Sequence, residues 1–318
     1  MSQDVPQRRQ VAALLQEARG ERVPQRMRRH GLLDPGPLPR ALDHLLDGAA
    51  TVPAFLGRAV HAWFLDQVRQ VDPHLAESLH APNTLRPFTV SSLWCSSSQP
   101  HGDSLRLSAG RACHLRITSI EPDLSTRLLS AFAPRWVNAT VHLTGVPFRV
   151  RQIASTAAEH PQAARLPYEV LIERTRQSHP PSHVSLRFLT PTTFRRSPPL
   201  DSPFGDESYD LPFPLPELIF NGLLSLWNTF APQPLPEELR VFARDCVVVS
   251  RYRLHTELVS FGSGRRGRVG GFVGDCRFAI RCSDAAWRQR IGLLAAFAPF
   301  ASVGRRTTMG LGQTRSGQ

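Results

Sequence analysis

Residues 269–298 read VGGFVGDCRFAIRCSDAAWRQRIGLLAAFA. The first half is rich in β-forming side chains, is punctuated by glycines, and predicts a strand. Asp284 then stands where a helix N-cap belongs, and Trp287, Ile291, Leu294 and Ala298 fall on one helical face behind it. A strand running into a capped amphipathic helix is half of a βαββαβ unit, so a strand, a helix and a pairing strand should lie upstream. They do. VSLRFL (184–189) predicts a strand, and PELIFNGLLSLWNTFA (216–231) predicts a helix with Leu218, Phe220, Leu223, Leu224 and Trp227 on its buried face. RVFARDCVVVSRYRLHTELVSF (240–261) predicts the strand that pairs with the opening stretch, and RRTTMGLGQTR (305–315) the last strand.

The same order is legible earlier in the chain. LPRALDHLL (38–46) predicts a first strand, and VPAFLGRAVHAWFLDQVRQV (52–71) a helix with Leu56, Val60, Trp63 or Phe64 and Val71 at helical spacing. A short turn of helix follows over PHLAESLH (73–80). RPFTVSSLW (86–94) and RACHLRITSI (111–120) predict strands, EPDLSTRLLSAFA (121–133) a helix, and RWVNATVHLTGVPFRVRQI (135–153) the closing strand. The fold class expected is α+β, two tandem ferredoxin-like (RRM-like) βαββαβ domains. The expected division is a polar extension over 1–37, made of an amphipathic helix and linker, then domains over 38–180 and 181–318. A stretch dense in proline and histidine joins the two.

Composition narrows the function. The chain has 318 residues, 41% of them hydrophobic, which is enough for a substantial core. All 38 basic residues are arginines, so catalysis by lysine is excluded and any basic surface is made of guanidinium forks suited to phosphate and base stacking. Twelve of them fall after residue 250, against Glu257, Asp275 and Asp284, whereas 201–250 holds 2 arginines and 8 acids. That segregation points to a nucleic-acid footprint at the C-terminal end. Five cysteines (Cys95, Cys113, Cys246, Cys276 and Cys282) without a C-x-x-C pair suggest buried reduced thiols rather than a disulfide framework or a zinc site. With no signal peptide and no run of 18 apolar residues, a cytoplasmic location without membrane contact is expected.

Two glycine-bearing segments could hold an anion. GSGRRG (262–267) matches the dinucleotide pattern, but that loop must open a helix, and here β-like sequence follows. It fits a basic hairpin loop presenting Arg265, Arg266 and Arg268. PFASVGRRTTMGLGQ (299–313) places Gly304, Gly310 and Gly312 around Arg305, Arg306, Thr307 and Thr308 with no acid among them. Glycine permits close main-chain approach while arginine and threonine donate hydrogen bonds, which suits a phosphate. The Lys-Ser or Lys-Thr ending of a nucleotide-hydrolysing loop is absent.

FASVGRRTTMGLGQ, preceded by GGFVGDCRFAI, closely resembles the C-terminal signature of the CRISPR repeat-processing endoribonucleases, the sixth Cas family of the RAMP superfamily. Three of that family's four glycine places are filled, and Ser302 stands at the first. The segments around FLGRAVHAWFLDQV, LAESLH, RPFTVSSL, SLRFLTPTTFR and LPFPLPELIFNGLLSLWN resemble the family in order, over about residues 39–315. The resemblance implies binding of CRISPR repeat RNA and cleavage of precursor CRISPR RNA with no metal or other cofactor. The 2′-hydroxyl would attack, leaving 2′,3′-cyclic phosphate and 5′-hydroxyl ends. Carried over, the family's histidine falls on His80 and its lysine on Arg86. Its tyrosine falls on or near Leu65, which has no proton to move. His61 in the first long helix is the second histidine candidate. Arg265, Arg266, Arg268 and the 304–312 loop are the expected RNA contacts. The competing expectation is a RAMP subunit that holds CRISPR RNA in an effector complex without cutting it. A homodimer and contacts with effector subunits are left open.

Overall fold

The computed structural model describes residues 10–13, 42–43, 50–82, 84–95, 99–101, 103–108, 110, 112–160, 163–198, 207–261 and 267–317. In the C-terminal half, four antiparallel strands lie side by side in the order Val247–Ser260, Arg268–Ile280, His183–Thr192, Thr314–Ser316. The helices Pro216–Phe230 and Ala285–Ala301 contribute their apolar faces to the core beneath this sheet. Asp284 caps the second of them, its Oδ1 accepting from the N–H groups of Ala286 at 2.7 Å and Trp287 at 3.2 Å. Trp227 is the centre of this core, meeting the rings of Tyr168 and Phe297 edge-on at 5.3 and 5.2 Å. The antiparallel strands Val247–Ser260 and Arg268–Ile280 lie before and after the G-x-G-x-x-G match, so it is followed by a strand rather than a helix; residues 262–266 themselves lie outside the described residues.

The N-terminal half repeats the arrangement. Its sheet runs Ala164–Pro167, Gln10–Ala13, Ile117–Ser119, Phe88–Val90, all antiparallel. Both sheets place the first and third strands of the unit in the middle, so the chain is two tandem ferredoxin-like domains, as the element order predicts. Helix α1 (Gly57–Val71) buries Val60, Phe64 and Val68, and Phe64 packs on Phe88 with ring centroids 4.8 Å apart. A second helical segment, Pro122–Arg127, continues through a wider turn at Leu128–Phe132 into Ala133–Trp136.

Several sequence expectations change. Residues 10–13, assigned to a helix ahead of the first domain, form an inner strand of its sheet, because tertiary pairing overrides a polar local context. They take the first-strand place expected of 38–46, of which Leu42–Asp43 pairs instead with Ala112–His114 in a separate small sheet. The last strand is confined to Thr314–Ser316, at the end of the 305–315 stretch expected to form it. The rest of the amphipathic helix and linker expected there lies outside the described residues. RWVNATVHLTGVPFRVRQI does not close the sheet. Thr144 and Gly145, at φ 52° and 83°, turn it into a separate hairpin, Thr140–Leu143 with Val146–Arg149, and Ala164–Pro167 takes the edge position. Cys95 and Cys113 are joined as a disulfide, since strand pairing sets them directly opposite each other, which their 18-residue separation could not reveal. Cys246, Cys276 and Cys282 are free thiols, as expected, but of these only Cys276 is buried.

Trp227→Ala should cost about 3–5 kcal/mol, because a fully buried indole contacting two rings leaves a cavity that cannot collapse. Denaturant unfolding monitored by circular dichroism measures it, and a loss under about 1 kcal/mol would contradict this packing.

Candidate active site

The start of α1 is fixed from outside the helix. The N–H of Leu56 donates to Ser92 Oγ at 2.8 Å, which sets the helix against the segment after strand Phe88–Val90. His61 lies one residue past Val60, half-buried, with its imidazole nearly parallel to the Phe88 ring at 6.1 Å. Helix α2 (Pro73–His80) begins at Asp72, whose Oδ1 accepts from the Leu75 N–H at 2.9 Å while its other oxygen pairs with Arg127. Pro73 occupies the first helical position, where a missing N–H costs nothing. The helix therefore stops with His80, exposed, its ring centroid 6.4 Å from that of His61. Arg86 folds back onto the end of α2, donating to the His80 carbonyl at 3.2 Å and to Thr84 Oγ1 at 2.7 Å.

Burial lowers the pKa of His61 below its ordinary value; the main chain of Thr308 pulls the other way, and the nearby His80 and Arg86 add to the lowering. His61 Nδ1 is buried without a hydrogen-bond partner. Leu65, at the family's tyrosine place, is buried in the core. His61, His80 and Arg86 are thus brought together.

The contact between His61 and Thr308 joins the two domains. The glycine-rich segment leaves the helix Ala285–Ala301 at Ser302, passes through a turn at Thr307–Met309 and enters the last strand at Thr314. That turn lies on α1 and on strand Phe88–Val90. A Cβ at Gly57 would stand 1.9 Å from the Met309 carbonyl oxygen, and one at Gly310 would stand 2.8 Å from the Ser92 nitrogen. Gly310 and Gly312 also sit at φ 90° and 69°, where only glycine is unstrained.

Main-chain donors of this loop are engaged within the protein. The N–H groups of Val303, Arg305, Leu311 and Gly312 donate to Gly312, Thr193, Arg306 and Pro191 carbonyls, and that of Gln313 to Thr190 Oγ1. At Gly304 and Gly312 the glycines face protein carbonyls, those of Thr193 and Val303. Arg305 forms an ion pair with Asp210, and Thr308 is buried. Arg306 instead lies over the Phe261 ring at 4.9 Å, and Thr307 is half-buried beside it in sequence. Arg58 donates to the Phe261 carbonyl at 3.1 Å, and Phe55 meets the Phe261 ring at 5.4 Å. Arg268 pairs at the surface with Asp103 at 3.1 Å. Arg265 and Arg266 lie outside the described residues. A cleft of about 1200 Å³ opens between Phe55, Arg58 and Trp94 on one side and Leu258, Phe261 and Arg268 on the other. Arg58, Phe55 and Phe261 carried no sequence signal of this role, because the contact joins residues about 200 positions apart.

Two family models match the chain: the CRISPR Cas6 N-terminal domain over residues 42–173 and the CRISPR-associated endoribonuclease Cas6 over 186–314. The chain belongs to the Cas6 endoribonuclease family. A product complex of the Thermus thermophilus Cas6 TTHB231 superposes with a TM-score of 0.67 at 27% identity, covering 86% of this chain and 97% of that one. A product complex of the Cas6 TTHA0078 gives 0.65 at 24%, covering 88% and 99%. A Cas6-related protein of Pyrococcus furiosus shares the fold at 13% identity, TM-score 0.58, with 88% and 97% covered. A search among curated proteins by sequence finds no match. Among the described residues of this Cas6 protein, no helix is long and apolar enough to cross a membrane.

A histidine whose folded pKa lies below its unfolded value contributes stability above the unfolded pKa, and that contribution is lost as pH falls through the folded one. His61 should therefore titrate below 6.5 in the folded chain, read from histidine side-chain NMR. Its protonation should be one source of weakening as pH falls from that value; titration above 6.5 would contradict the burial seen here.

Proposed function

We propose that this Cas6 protein is a cytoplasmic, metal-independent ribonuclease that binds CRISPR repeat RNA and cuts precursor CRISPR RNA within the repeat. The observation that carries this is the clustering of His61, His80 and Arg86 beside the helix on which the 307–309 turn rests, a turn more than 200 residues away in sequence that reaches His61 through Thr308. We assign the proton-handling groups to the domain of residues 38–180, completed by strand Gln10–Ala13, and the glycine-rich loop to that of 181–318. The product complexes of the relatives support an RNA ligand on this fold.

Two imidazoles and a guanidinium suit phosphodiester transfer. One imidazole takes the proton of the 2′-hydroxyl as its oxygen bonds to phosphorus. The P–O5′ bond then breaks, the other imidazole gives the leaving oxygen a proton, and the products carry a 2′,3′-cyclic phosphate and a 5′-hydroxyl. His61 has a lowered pKa and starts neutral, which suits the base; exposed His80 is then the acid. Arg86, fixed beside His80, offsets charge on the phosphorane and moves no proton at neutral pH. The absence of the family's tyrosine and lysine, with Leu65 and Arg86 in their places, favours a non-cleaving subunit as the alternative, but the histidine pair would supply both proton transfers without them.

The RNA backbone is assigned to the cleft side of the loop, where Arg306 and Arg58 flank Phe261. Arg305, held by Asp210, fixes the loop instead. Incubation of the protein with repeat RNA in EDTA should give cleavage, and a 2′-deoxy substitution at the cut site should abolish it. His80→Ala should lower the single-turnover rate by about 10²- to 10⁴-fold with repeat binding retained. Cleavage of the 2′-deoxy RNA, or full activity of the His80 variant, would sink the mechanism. Arg306→Ala should reduce the slope of log affinity against log salt by about 0.7–0.9, one phosphate's worth, while Arg305→Ala leaves the slope unchanged.

A further inference from the structure

Among the described residues, Arg116 is the arginine withdrawn from water, only 2% exposed, and no carboxylate answers its charge. Burial lowers its pKa to about 9. An unpaired buried cation is costly, so its surroundings must compensate through geometry. Nη1 donates to Gln313 Oε1 at 2.6 Å and Nη2 to the Pro299 carbonyl. Pro299 lies in the last turn of the helix Ala285–Ala301, whose terminal carbonyls carry the negative end of the helix dipole. Thr118 Oγ1 donates to the next carbonyl, that of Phe300, at 2.9 Å.

The two acceptors of the fork are the stems of the glycine-rich loop, one before Ser302 and the other after Gly312. On the other side, the Arg116 N–H donates to Ser91 Oγ at 2.7 Å, and Ser91 returns its N–H to the Arg116 carbonyl at 2.8 Å. Ser92, next in sequence, holds the first turn of α1 and faces Gly310. We propose that Arg116 is a positioning residue: its planar fork fixes both stems of the loop to the N-terminal domain and so sets the distance between the 307–309 turn and His61. Its effect on cleavage rests on the ribonuclease function proposed above, whereas its effect on His61 does not. A lysine could not replace it, since one ammonium on a flexible stem does not hold two acceptors in a plane.

The test uses the full chain. Arg116→Met keeps the length and apolar volume and removes the fork; Arg116→Lys keeps a charge. In RNA-free Arg116→Met, histidine NMR should show the His61 midpoint rising toward the ordinary value as the loop lifts and burial falls. Single-turnover cleavage of repeat RNA at saturating protein should fall about 10²-fold, the penalty of a misplacement near 1 Å, with affinity retained and part of the rate restored in Arg116→Lys. If the wild-type chain does not cut repeat RNA, the ribonuclease function falls and the His61 midpoint alone decides the positioning role. Should Arg116→Met fail to fold, Gln313→Met removes one stem contact and should move His61 in the same direction. An unmoved His61 midpoint in a folded variant overturns the proposal.

Discussion

Gly57 and Met309 meet main chain to main chain, and the rest of the site depends on that contact. With no side chain at Gly57, the carbonyl of Met309 comes within 1.9 Å of where a Cβ would be, so the turn rests directly on the first turn of α1. One helical turn further on, the same face presents His61 to Thr308. A larger residue at position 57 would push the turn away from the histidines. Gly310 repeats the constraint against Ser92, which itself holds the helix start through Leu56. The glycines let one part of the chain approach another closely, and that approach fixes the turn beside the histidines.

A chain without lysine handles its charges through forks. At the surface the pairs are ordinary and weak: Arg268 with Asp103 and Arg176 with Glu173 are exposed on both sides, and such pairs are worth about 0–1 kcal/mol. Elsewhere the guanidinium becomes a geometric device. Arg305 is tied to Asp210, Arg86 to a helix end, and Arg116 to a helix end and an amide. A lysine has one donor centre and could make only part of each arrangement.

Most of the fold was legible because it is written in local pattern. Asp284 with the stripe Ile291, Leu294, Ala298 gave the last helix, and Val60 with Phe64 gave α1, since burial on one face leaves a 3.6-residue period. The strand at 10–13 left no such trace: four residues bound in the middle of a sheet are determined by their neighbours at 117–119 and 164–167. The Cys95–Cys113 bond was hidden for the same reason. In the site, the segment ending at His80 and the 304–312 loop were visible as sequence, but the Arg58–Phe261–Arg306 cluster was not, being a contact between parts far apart in the chain.

Ser302 shows how a departure from a family pattern is accommodated. It occupies a glycine place and keeps a glycine conformation, φ 58° and ψ 172°, which costs a side-chain-bearing residue about 1–3 kcal/mol. The residue is 1% exposed, and its hydroxyl accepts from Gln313 Nε2 at 3.2 Å, a contact glycine cannot make and one worth about 1 kcal/mol net. Gln313 is the amide that accepts from Arg116, and its Nε2 also reaches the Val90 carbonyl at 3.3 Å. The strained serine therefore belongs to a buried polar network that crosses between the domains, in which both terminal nitrogens of Arg116 are paired and its Nε is left without a partner. A loop of glycines alone would reach the same shape with less strain and less to hold it there. The serine exchanges some stability for a fixed position at the point where the loop leaves its helix, and that position fixes where the 307–309 turn meets the helix that carries His61.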